Sequence, residues 1–285
     1  NIIHEISSGL LSQQTAESVW RTLLGKTPQF ELNPWEQNNY KIALSNGNLC
    51  LEKYNDQWAV NLYPHRKEDE LIGCIDVKFE PNSASSEFEK EITSLLGAAD
   101  IESRKKALSE MYGLMLFPVA PRLFSLIGPP GTGKSTIAKV GLLMMSESTV
   151  SGVDPSNYNK FYMESMLGKR ANVCLDVDYS VPIYDANIKK IEDEKQVQVD
   201  RKFRTPVQAR LPNLHIFCSN DHLMSRDRGT GAYERRWTIM RIDSKRFNQD
   251  TQIKNYADHL FAAHSSAILN FAIEGVLRVL KNGKR

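Results

Sequence analysis

Gly128-Pro129-Pro130-Gly131-Thr132-Gly133-Lys134-Ser135-Thr136 is the stretch of this sequence that decides the fold. It has the GxxxxGK[ST] spacing of a phosphate-binding loop, and it lies between an apolar run, Arg122 to Ile127, and a predicted helix, Ile137 to Met145. Such a loop lets backbone N–H groups surround a polyphosphate at the positive end of the helix dipole. We therefore predict ATP binding across the loop, with Lys134 on the β and γ phosphates and Ser135 on Mg²⁺.

A loop of this kind also needs a carboxylate on a neighbouring strand, which holds the magnesium ion and its waters. The apolar run Ala171-Asn172-Val173-Cys174-Leu175 predicts such a strand, and Asp176 and Asp178 follow it. Alternation along an extended chain puts both carboxylates on one side. We assign Asp176 to the metal and Asp178 to the attacking water; the alternative for Asp178 is a cap on the following loop.

Two further polar sites stand beside apolar runs. Asn220 follows the predicted strand Leu214 to Ser219, where it can reach the γ-phosphate and orient the water; the alternative is an asparagine that only forms a turn. Arg235 and Arg236 precede the last apolar run, and an arginine can neutralise the transition-state charge in phosphoryl transfer. The alternative for this pair is a surface ion pair, for example with Glu234.

The bulk composition describes a chain with a sizeable core and no strong overall charge. Its 285 residues are 41% hydrophobic and 25% charged, and the net charge is only +2. Any contact with a nucleic acid must therefore come from a local basic patch. No apolar run approaches the roughly 18–20 residues of a membrane span. No secretory pattern follows the first residue, Asn1, so we expect a fragment of a longer cytoplasmic protein, in the host cytoplasm if it is viral.

Neither the cysteines nor the histidines predict a metal site. The four cysteines are widely spaced with no CxxC pair. Cys174 and Cys218 lie inside apolar runs and are predicted to be buried, reduced thiols. His215 and His222 have no companion at metal-ligand spacing, so we interpret both as structural.

The chain divides into segments that differ in their periodicity. After about residue 120, strands and helices alternate, which is typical of a three-layer α/β domain with a parallel central sheet. Earlier, short apolar runs around Asn46-Gly47 predict a hairpin in a small α+β region. The predicted segments are 1–85 (α+β, with helical spacing over 4–30 and further strands at 58–62 and 71–79), 86–120 (a helical connector) and 121–285 (the ATPase domain).

Taken in order, the motifs resemble those of superfamily 3 helicases, and more closely the primase-helicases of poxviruses, phages and plasmids. The run from Leu44 to Leu49 is similar to an NG-hydrophobic element ahead of the ATPase in that family. Leu167-Gly168-Lys169-Arg170 is similar to the GKR before the acidic strand, and Ile268 to Gly275 looks like the helix that ends the motor domain. The resemblance implies an AAA+-like, Mg²⁺-dependent ATPase that works as a ring, commonly a hexamer. A primase or polymerase domain can precede such a motor in the same chain.

The resemblance also assigns roles that composition does not. In that family an arginine of one subunit, called the arginine finger, completes the nucleotide site of the next subunit. Arg236 matches the arginine finger best, with Arg235 second. A hairpin between the acidic strand and the Asn220 strand carries basic residues into the central pore, where Phe203 is available for stacking. The alternative is a solvated hairpin face. The residues that match the DNA-contacting set are Lys189, Lys190, Arg201, Lys202 and Arg204.

Two features depart from the family pattern. The acidic strand usually ends in Glu, whereas here it is followed by Asp176 and Asp178, whose side chains are shorter. The loop reads Pro129-Pro130-Gly131-Thr132 where the family commonly has Asn-Gly-Lys-Ser, so Thr132 replaces a side-chain amide. Which Asp performs which role therefore stays open, and some nucleotide contacts are expected to differ.

The motifs together predict an ATP-dependent DNA helicase of a phage, plasmid or viral replication protein, which translocates on single-stranded DNA. One alternative is an AAA+ loader or remodeller that grips protein, and another is a nucleotide-regulated initiator that does not unwind DNA. A small-molecule kinase is disfavoured by the long interval between the acidic strand and Asn220. No membrane partner is expected.

Overall fold

A small antiparallel sheet opens the part of the chain that the structure describes. The structure is a computed structural model, and it describes residues 40–283 apart from positions 70, 72, 98, 160, 213 and 245–253. The helical spacing predicted over 4–30 lies outside these residues. The sheet consists of β1 (Lys41–Leu44), β2 (Gly47–Tyr54) and β3 (Gln57–Tyr63), in that order.

The turn of the first hairpin is shifted by one residue from its predicted position. Gly47 already pairs with Leu44, so the two turn residues are Ser45 and Asn46. The Asn46 side chain is held by the backbone of Phe79, donating Nδ2–H to its carbonyl at 2.9 Å and accepting its N–H at 3.0 Å. A contact between residues so far apart in the chain thus selects a turn that the Asn-Gly dipeptide did not predict.

The strand predicted over 58–62 is confirmed as β3, whereas the strand predicted over 71–79 is not formed among the described residues. Ile75 makes a single parallel bridge to Leu44. The N–H of Val77 then donates back to the Ile75 carbonyl at 2.8 Å. Because the backbone turns on itself at this point, the pairing ends after one contact.

Helices flank both sheets, and the connector predicted to be helical over 86–120 contains two of them. The first of them begins after Ser85, whose hydroxyl accepts the Phe88 N–H at 3.1 Å as an N-cap. The helices are α1 (Ser86–Leu96), α2 (Ile101–Leu116), α3 (Lys134–Leu142), α4 (Asp185–Glu192), α5 (Gly231–Arg236) and α6 (Tyr256–Lys281).

A five-stranded, all-parallel sheet follows residue 121, as predicted. The strands are β4 (Arg122–Ile127), β5 (Val150–Ser151), β6 (Ala171–Cys174), β9 (Leu214–Ser219) and β10 (Trp237–Arg241), while β7 (Val197–Arg201) and β8 (Arg204–Ala209) form a separate antiparallel hairpin. The order across the sheet is β10-β4-β9-β6-β5. The carboxyl ends of β4, β9 and β6 are therefore neighbours at one edge, which we call the carboxyl edge.

The two faces of the parallel sheet pack on different layers. Phe124 and Leu126 of β4 belong to a core with α1, α2, α3 and α6, and that core also contains Leu44 and Leu49 of the small sheet. Leu123 faces the opposite way, into a second core with α4, α5 and the β7–β8 hairpin. Alternation along a strand explains this division. The result is the three-layer α/β arrangement, and all three predicted segments share the first core.

Helix α6 corrects the expectation that no stretch approaches a membrane span. By length and composition, α6 is the one helix among the described residues that could cross a bilayer. Its buried residues, among them Ile268, Ala272 and Val276, belong to the first core, and its main packing partner is α2. Packing inside the fold therefore accounts for its apolar character, and the described residues carry no clear membrane-protein signature.

Candidate functional site

The predicted phosphate-binding loop, residues 128–133, leaves the carboxyl end of β4 and enters α3 at Lys134. The backbone is left-handed at Gly131 (φ 76°) and at Gly133 (φ 95°). A side chain would strain either position, so the loop needs glycine there. The Thr132 hydroxyl donates to the Pro129 carbonyl at 2.9 Å and braces the loop from inside. The exposed turn of the loop is formed by Pro129, Pro130 and Gly131, and Ser135 and Thr136 lie in the first turn of α3.

The ammonium group of Lys134 lies at the centre of the candidate site. It is buried and donates to the carbonyls of Gly128 at 2.6 Å and Pro129 at 2.8 Å, and to Asn220 Oδ1 at 3.2 Å. Burial lowers its pKa, and the negative charge of nearby Asp176 opposes that change. The lysine is thus a cation held by neutral oxygen acceptors, and phosphate oxygens can replace those acceptors.

Ser135 connects the loop to the acidic segment on β6. Its hydroxyl donates to the Leu175 carbonyl at 3.2 Å, directly before Asp176. Asp176 is exposed, and its negative charge raises the pKa of Lys134, opposing the effect of burial. Ser135 therefore lies next to the segment that carries Asp176, although the two bonded residues, Ser135 and Leu175, are 40 positions apart in the sequence.

The alternation argument predicted that Asp176 and Asp178 lie on one side of an extended strand. The structure contradicts this prediction. Strand β6 ends at Cys174, and the chain then bends. The Asp178 carboxylate accepts the Ser180 N–H at 2.9 Å and its hydroxyl at 2.6 Å, and these bonds lower its pKa. This is the loop-capping arrangement that was the alternative for Asp178. Asp176, whose charge acts on Lys134, is therefore the stronger candidate of the two.

Asn220 follows β9 directly, next to the loop strand β4. Its side-chain oxygen accepts from Lys134, and its neighbour Ser219 donates a hydroxyl bond to the Asp221 carbonyl at 2.6 Å. The segment after β9 is therefore fixed at both residues, and the amide is exposed towards the loop. Parallel pairing of β4 with β9 is the cause, because it brings both carboxyl ends to the same edge.

The two arginines lie at the opposite edge of the sheet, which we call the amino edge. Arg235 and Arg236 end α5, and β10 begins at the next residue, which pairs with Leu123 near the start of β4. At roughly 3.3 Å per residue, the length of β4 separates them from the loop by about 15 Å. Arg236 Nε contacts Glu192 Oε2 at 3.2 Å, and Arg235 is exposed. Within one chain, neither arginine is brought to Lys134.

The predicted hairpin is confirmed as β7 and β8, with Lys202 and Phe203 at its tip. Phe203 has a left-handed backbone (φ 58°), and its side chain is 94% exposed. The Lys202 ammonium lies 5.3 Å from the centre of the Phe203 ring. Arg201 donates twice to the Thr205 carbonyl, at 2.9 and 2.8 Å, and Arg204 is exposed. An aromatic ring surrounded by cations thus projects from the fold.

The other two predicted DNA contacts, Lys189 and Lys190, are not on the hairpin. They lie on α4, and the Lys189 ammonium forms an ion pair with Asp227 at 2.6 Å. Lys190 is exposed. Sequence reasoning missed the partner of Lys189 because Asp227 lies in the loop after β9, and no local pattern connects the two residues.

The residues that were interpreted as structural are packed inside the fold. His215 is fully buried, between the Tyr158 hydroxyl (2.6 Å from Nδ1) and the Pro212 carbonyl (2.7 Å from Nε2). Burial lowers its pKa to about 4, so it is neutral at pH 7. Cys174 and Cys218 are buried free thiols, and burial raises the pKa of both.

Comparisons with known proteins agree with this fold. Residues 126–236 match a family of unknown function, DUF5906. The matched region contains the loop, the acidic segment, the hairpin and both arginines. No curated protein matches the chain.

The solved structures that resemble the chain include two forms of one protein region. The A form apo structure of the NrS-1 C-terminal region has a TM-score of 0.58 at 13% identity, over 94% of this chain and 62% of that one. A second apo structure of the same region has a TM-score of 0.54 at 13% identity, over 94% of this chain and 63% of the other. At this identity the likeness concerns the fold alone. The present chain spans less than two thirds of the length of those chains.

Proposed function

We propose that this chain is the ATP-hydrolysing motor of a DNA helicase. The observation that carries the proposal is the meeting of Lys134, Ser135 and Asn220 at the carboxyl edge, with Asp176 beside them. A buried lysine at the end of a glycine-rich loop, a hydroxyl at a helix start and a carboxylate are the groups that bind a nucleoside triphosphate with magnesium.

Each residue at this edge has a chemical task in the proposal. Lys134 exchanges its carbonyl acceptors for phosphate oxygens, and the backbone N–H groups at the start of α3 support the same charge. Ser135 and Asp176 offer oxygen ligands, which suit Mg²⁺; the remaining ligands are phosphates and waters. Asn220 orients the water that attacks the γ-phosphate. Asp178 is the weaker candidate for polarising that water, because its carboxylate is engaged by Ser180.

Arg236 would act on the nucleotide of a neighbouring copy. Its position about 15 Å away along the strand supports this role, because it cannot serve its own loop without a large rearrangement. In a ring, an arginine at the amino edge of one copy can face the loop of the next. The ring, commonly a hexamer in the family that the motifs resemble, thus belongs to the proposal, and Arg235 is the second candidate for this finger.

The β7–β8 hairpin is the proposed contact for single-stranded DNA. An exposed ring stacks on any base, and neighbouring cations contact the phosphates, so the binding tolerates any sequence. Phe203 at 94% exposure and Lys202 beside it support this assignment. Of the remaining predicted contacts, Arg201 and Arg204 flank the tip, whereas Lys189 has a carboxylate partner and is the weakest candidate.

The replication context of the proposal is supported by the motifs, which resemble those of phage, plasmid and poxvirus primase-helicases. A longer chain with a primase or polymerase domain belongs to the same proposal, as does a cytoplasmic location.

A loader or remodeller that grips polypeptide is the second candidate. Phe161 and Tyr162 are exposed aromatic residues, and the short helical segment 161–166 that contains them packs against β7. Aromatic side chains grip a polypeptide as well as a base. The cations at the hairpin tip favour nucleic acid, and that is why the helicase is proposed first.

The deciding experiment measures ATP turnover with Mg²⁺ against protein concentration, with and without single-stranded DNA, alongside strand displacement. We expect turnover that rises with concentration and with DNA. Lys134→Ala should lower turnover by about 10³-fold or more, since it removes the charge that stabilises the transition state. Lys139→Ala, an exposed lysine on the same helix, serves as control. Unwinding that survives Lys134→Ala would refute the proposal, and turnover indifferent to DNA would favour the loader.

A further inference from the structure

The guanidinium of Arg236 is paired with a carboxylate. Glu192 Oε2 accepts from Arg236 Nε at 3.2 Å, and the two side chains are only 29% and 22% exposed. Charges at this burial are screened less than surface charges, so the pair restrains the arginine more than an exposed pair would. The bond uses one of the five N–H groups of the guanidinium. It therefore orients the side chain without by itself using up its capacity to bind an anion.

The pair lies in an open cavity of about 1060 Å³ at the amino edge. A volume of this size can admit the phosphates of a nucleotide bound to another copy. The cavity is lined by both signs of charge, with Arg122, Arg235 and Lys195 among the cations and Asp193, Glu194 and Glu234 among the anions. Several carboxylates line the same cavity as Arg236, so the orientation of its guanidinium depends on which carboxylate it pairs with.

Helix α4 connects this pair to the rest of the machinery. Glu192 is its last residue, and the hairpin strand β7 begins five residues later, at Val197. At the other end, Asp185 accepts the Ser225 hydroxyl at 2.6 Å and the Arg226 N–H at 3.0 Å, in the loop that follows Asn220. A single short helix thus touches the loop after Asn220, Arg236 and the start of the hairpin.

From these contacts we propose that Glu192 is the positioning residue of Arg236. It holds the guanidinium from its Nε side, so that the arginine meets the γ-phosphate of the neighbouring copy in one orientation. Since Glu192 also ends the helix that leads into the hairpin, its position changes when the hairpin moves, and the arginine follows. This inference rests on the proposed function, because it needs Arg236 to act between copies.

A matched pair in the same cavity provides the control. Glu110 Oε1 accepts from Arg278 Nε at 3.0 Å, with side chains 21% and 32% exposed. It joins the same kinds of group at similar burial as Glu192–Arg236, and Glu110 lines the same cavity. Arg278 also donates to the Lys106 carbonyl and the Ser109 hydroxyl. A purely structural ion pair at this edge should behave as this one does when its carboxylate is neutralised.

The experiment uses mixed rings. Copies with Lys134→Ala keep Arg236 but cannot hydrolyse ATP, and copies with Arg236→Ala keep the loop but lack the arginine. Mixing them should restore turnover. Glu192→Gln is then placed either on the Lys134→Ala copies, which donate the arginine, or on the Arg236→Ala copies, which do not. Glu110→Gln is tested in the same two arms, and thermal unfolding of each variant monitors the fold.

We expect Glu192→Gln to lower kcat about tenfold, with KM unchanged, only on the copies that donate Arg236. Glu192→Asp on those copies should recover part of that loss, because it keeps the charge, and Glu110→Gln should change neither arm. Equal losses in both arms, or none in either, would overturn the inference. Mixed rings that stay inactive while the wild type turns over ATP would refute action between copies. A wild type without turnover would remove the proposed function as well, so the two failures are distinguishable.

Discussion

The two edges of the parallel sheet differ in how complete they are within one chain. At the carboxyl edge, Lys134 has oxygen acceptors at 2.6, 2.8 and 3.2 Å, and Ser135 is bonded to the β6 segment. At the amino edge, Arg236 and its ion pair line an open cavity of about 1060 Å³. We call the first edge closed, because Lys134 is buried and bonded within its own chain, and the second edge open, because its charged groups line a cavity.

The difference between the two edges indicates where a second copy of the chain would contribute. A closed polar cluster satisfies its own hydrogen bonds, so ligand binding there is an exchange of acceptors. The open cavity at the amino edge presents charged side chains of both signs to a surface that another copy can approach. This contrast is why we infer that the amino edge of one copy serves the carboxyl edge of another.

The largest expected effect comes from removing the cation at the open edge. Arg236→Ala should lower turnover of the assembled protein by about 10³-fold while ATP binding persists, because we propose that the arginine acts on the transition state of another copy. Steady-state turnover and nucleotide binding measure the two quantities. Arg278→Lys, in the neighbouring ion pair, is the control. Turnover above a tenth of the wild-type value in Arg236→Ala would break the contrast between the edges.

The closed edge is tested through Asn220. Asn220→Ala should lower kcat by about 10²-fold with little change in KM, since it removes a group that orients the attacking water and leaves the phosphate contacts in place. Asn46→Ala, in a turn of the small sheet, should leave both constants unchanged. A rise in KM with kcat retained would make Asn220 a ground-state contact of the nucleotide.

A smaller effect is expected at the hairpin, which belongs to neither edge. Phe203→Ala should weaken binding of single-stranded DNA by about 1–3 kcal/mol, the range for one stacked base. Lys202→Ala should reduce the salt dependence of binding by about one counterion. Fluorescence anisotropy at several salt concentrations measures both, with Lys53→Ala, an exposed lysine of β2, for comparison. Unchanged affinity in both hairpin variants would move the DNA contact elsewhere.

The smallest effect on activity is expected at His215, which lies on β9 and is fully buried. The pKa of His215 in the folded protein, about 4, lies below its ordinary value of 6.5. Between these two pH values the unfolded chain therefore binds a proton that the folded chain does not bind. Stability should therefore be unaffected above pH 6.5 and fall as the pH drops towards 4, by about 3 kcal/mol in all. Urea unfolding at pH 7 and pH 4.5 measures the change. His215→Gln should lose less on acidification than the wild type or His259→Gln; equal losses would contradict the burial argument.

Much of the fold and of the closed edge could be predicted from the sequence. Strands β9 and β4 were predicted with their observed limits, because apolar runs bounded by polar residues are local signals. The loop could be identified because its glycines are needed for left-handed backbone, as at Gly131 and Gly133. These features depend on residues that are neighbours in the sequence, and so the sequence alone can predict them.

Other features depend on contacts between distant residues and were missed or misplaced. The turn at Ser45 and Asn46 is set by Phe79, and the capping of Asp178 follows from the bend after β6. Lys189 was assigned to DNA, yet Asp227 lies 2.6 Å from its ammonium. In each case the partner or the bend that decides the outcome comes from the tertiary structure, so no local sequence pattern predicts it.

By itself, the sequence determined the chemical groups of this protein: a glycine-rich loop with Lys134 and Ser135, Asp176 after an apolar strand, and Asn220 after another. Only the tertiary structure decided which of them meet. The parallel register of β4 with β9 brings Asn220 to Lys134, whereas the register of β10 leaves Arg236 at the far edge, beside Glu192. The physical reason is that parallel pairing aligns strand ends in space irrespective of the residues between them, and those alignments are not written in any one segment.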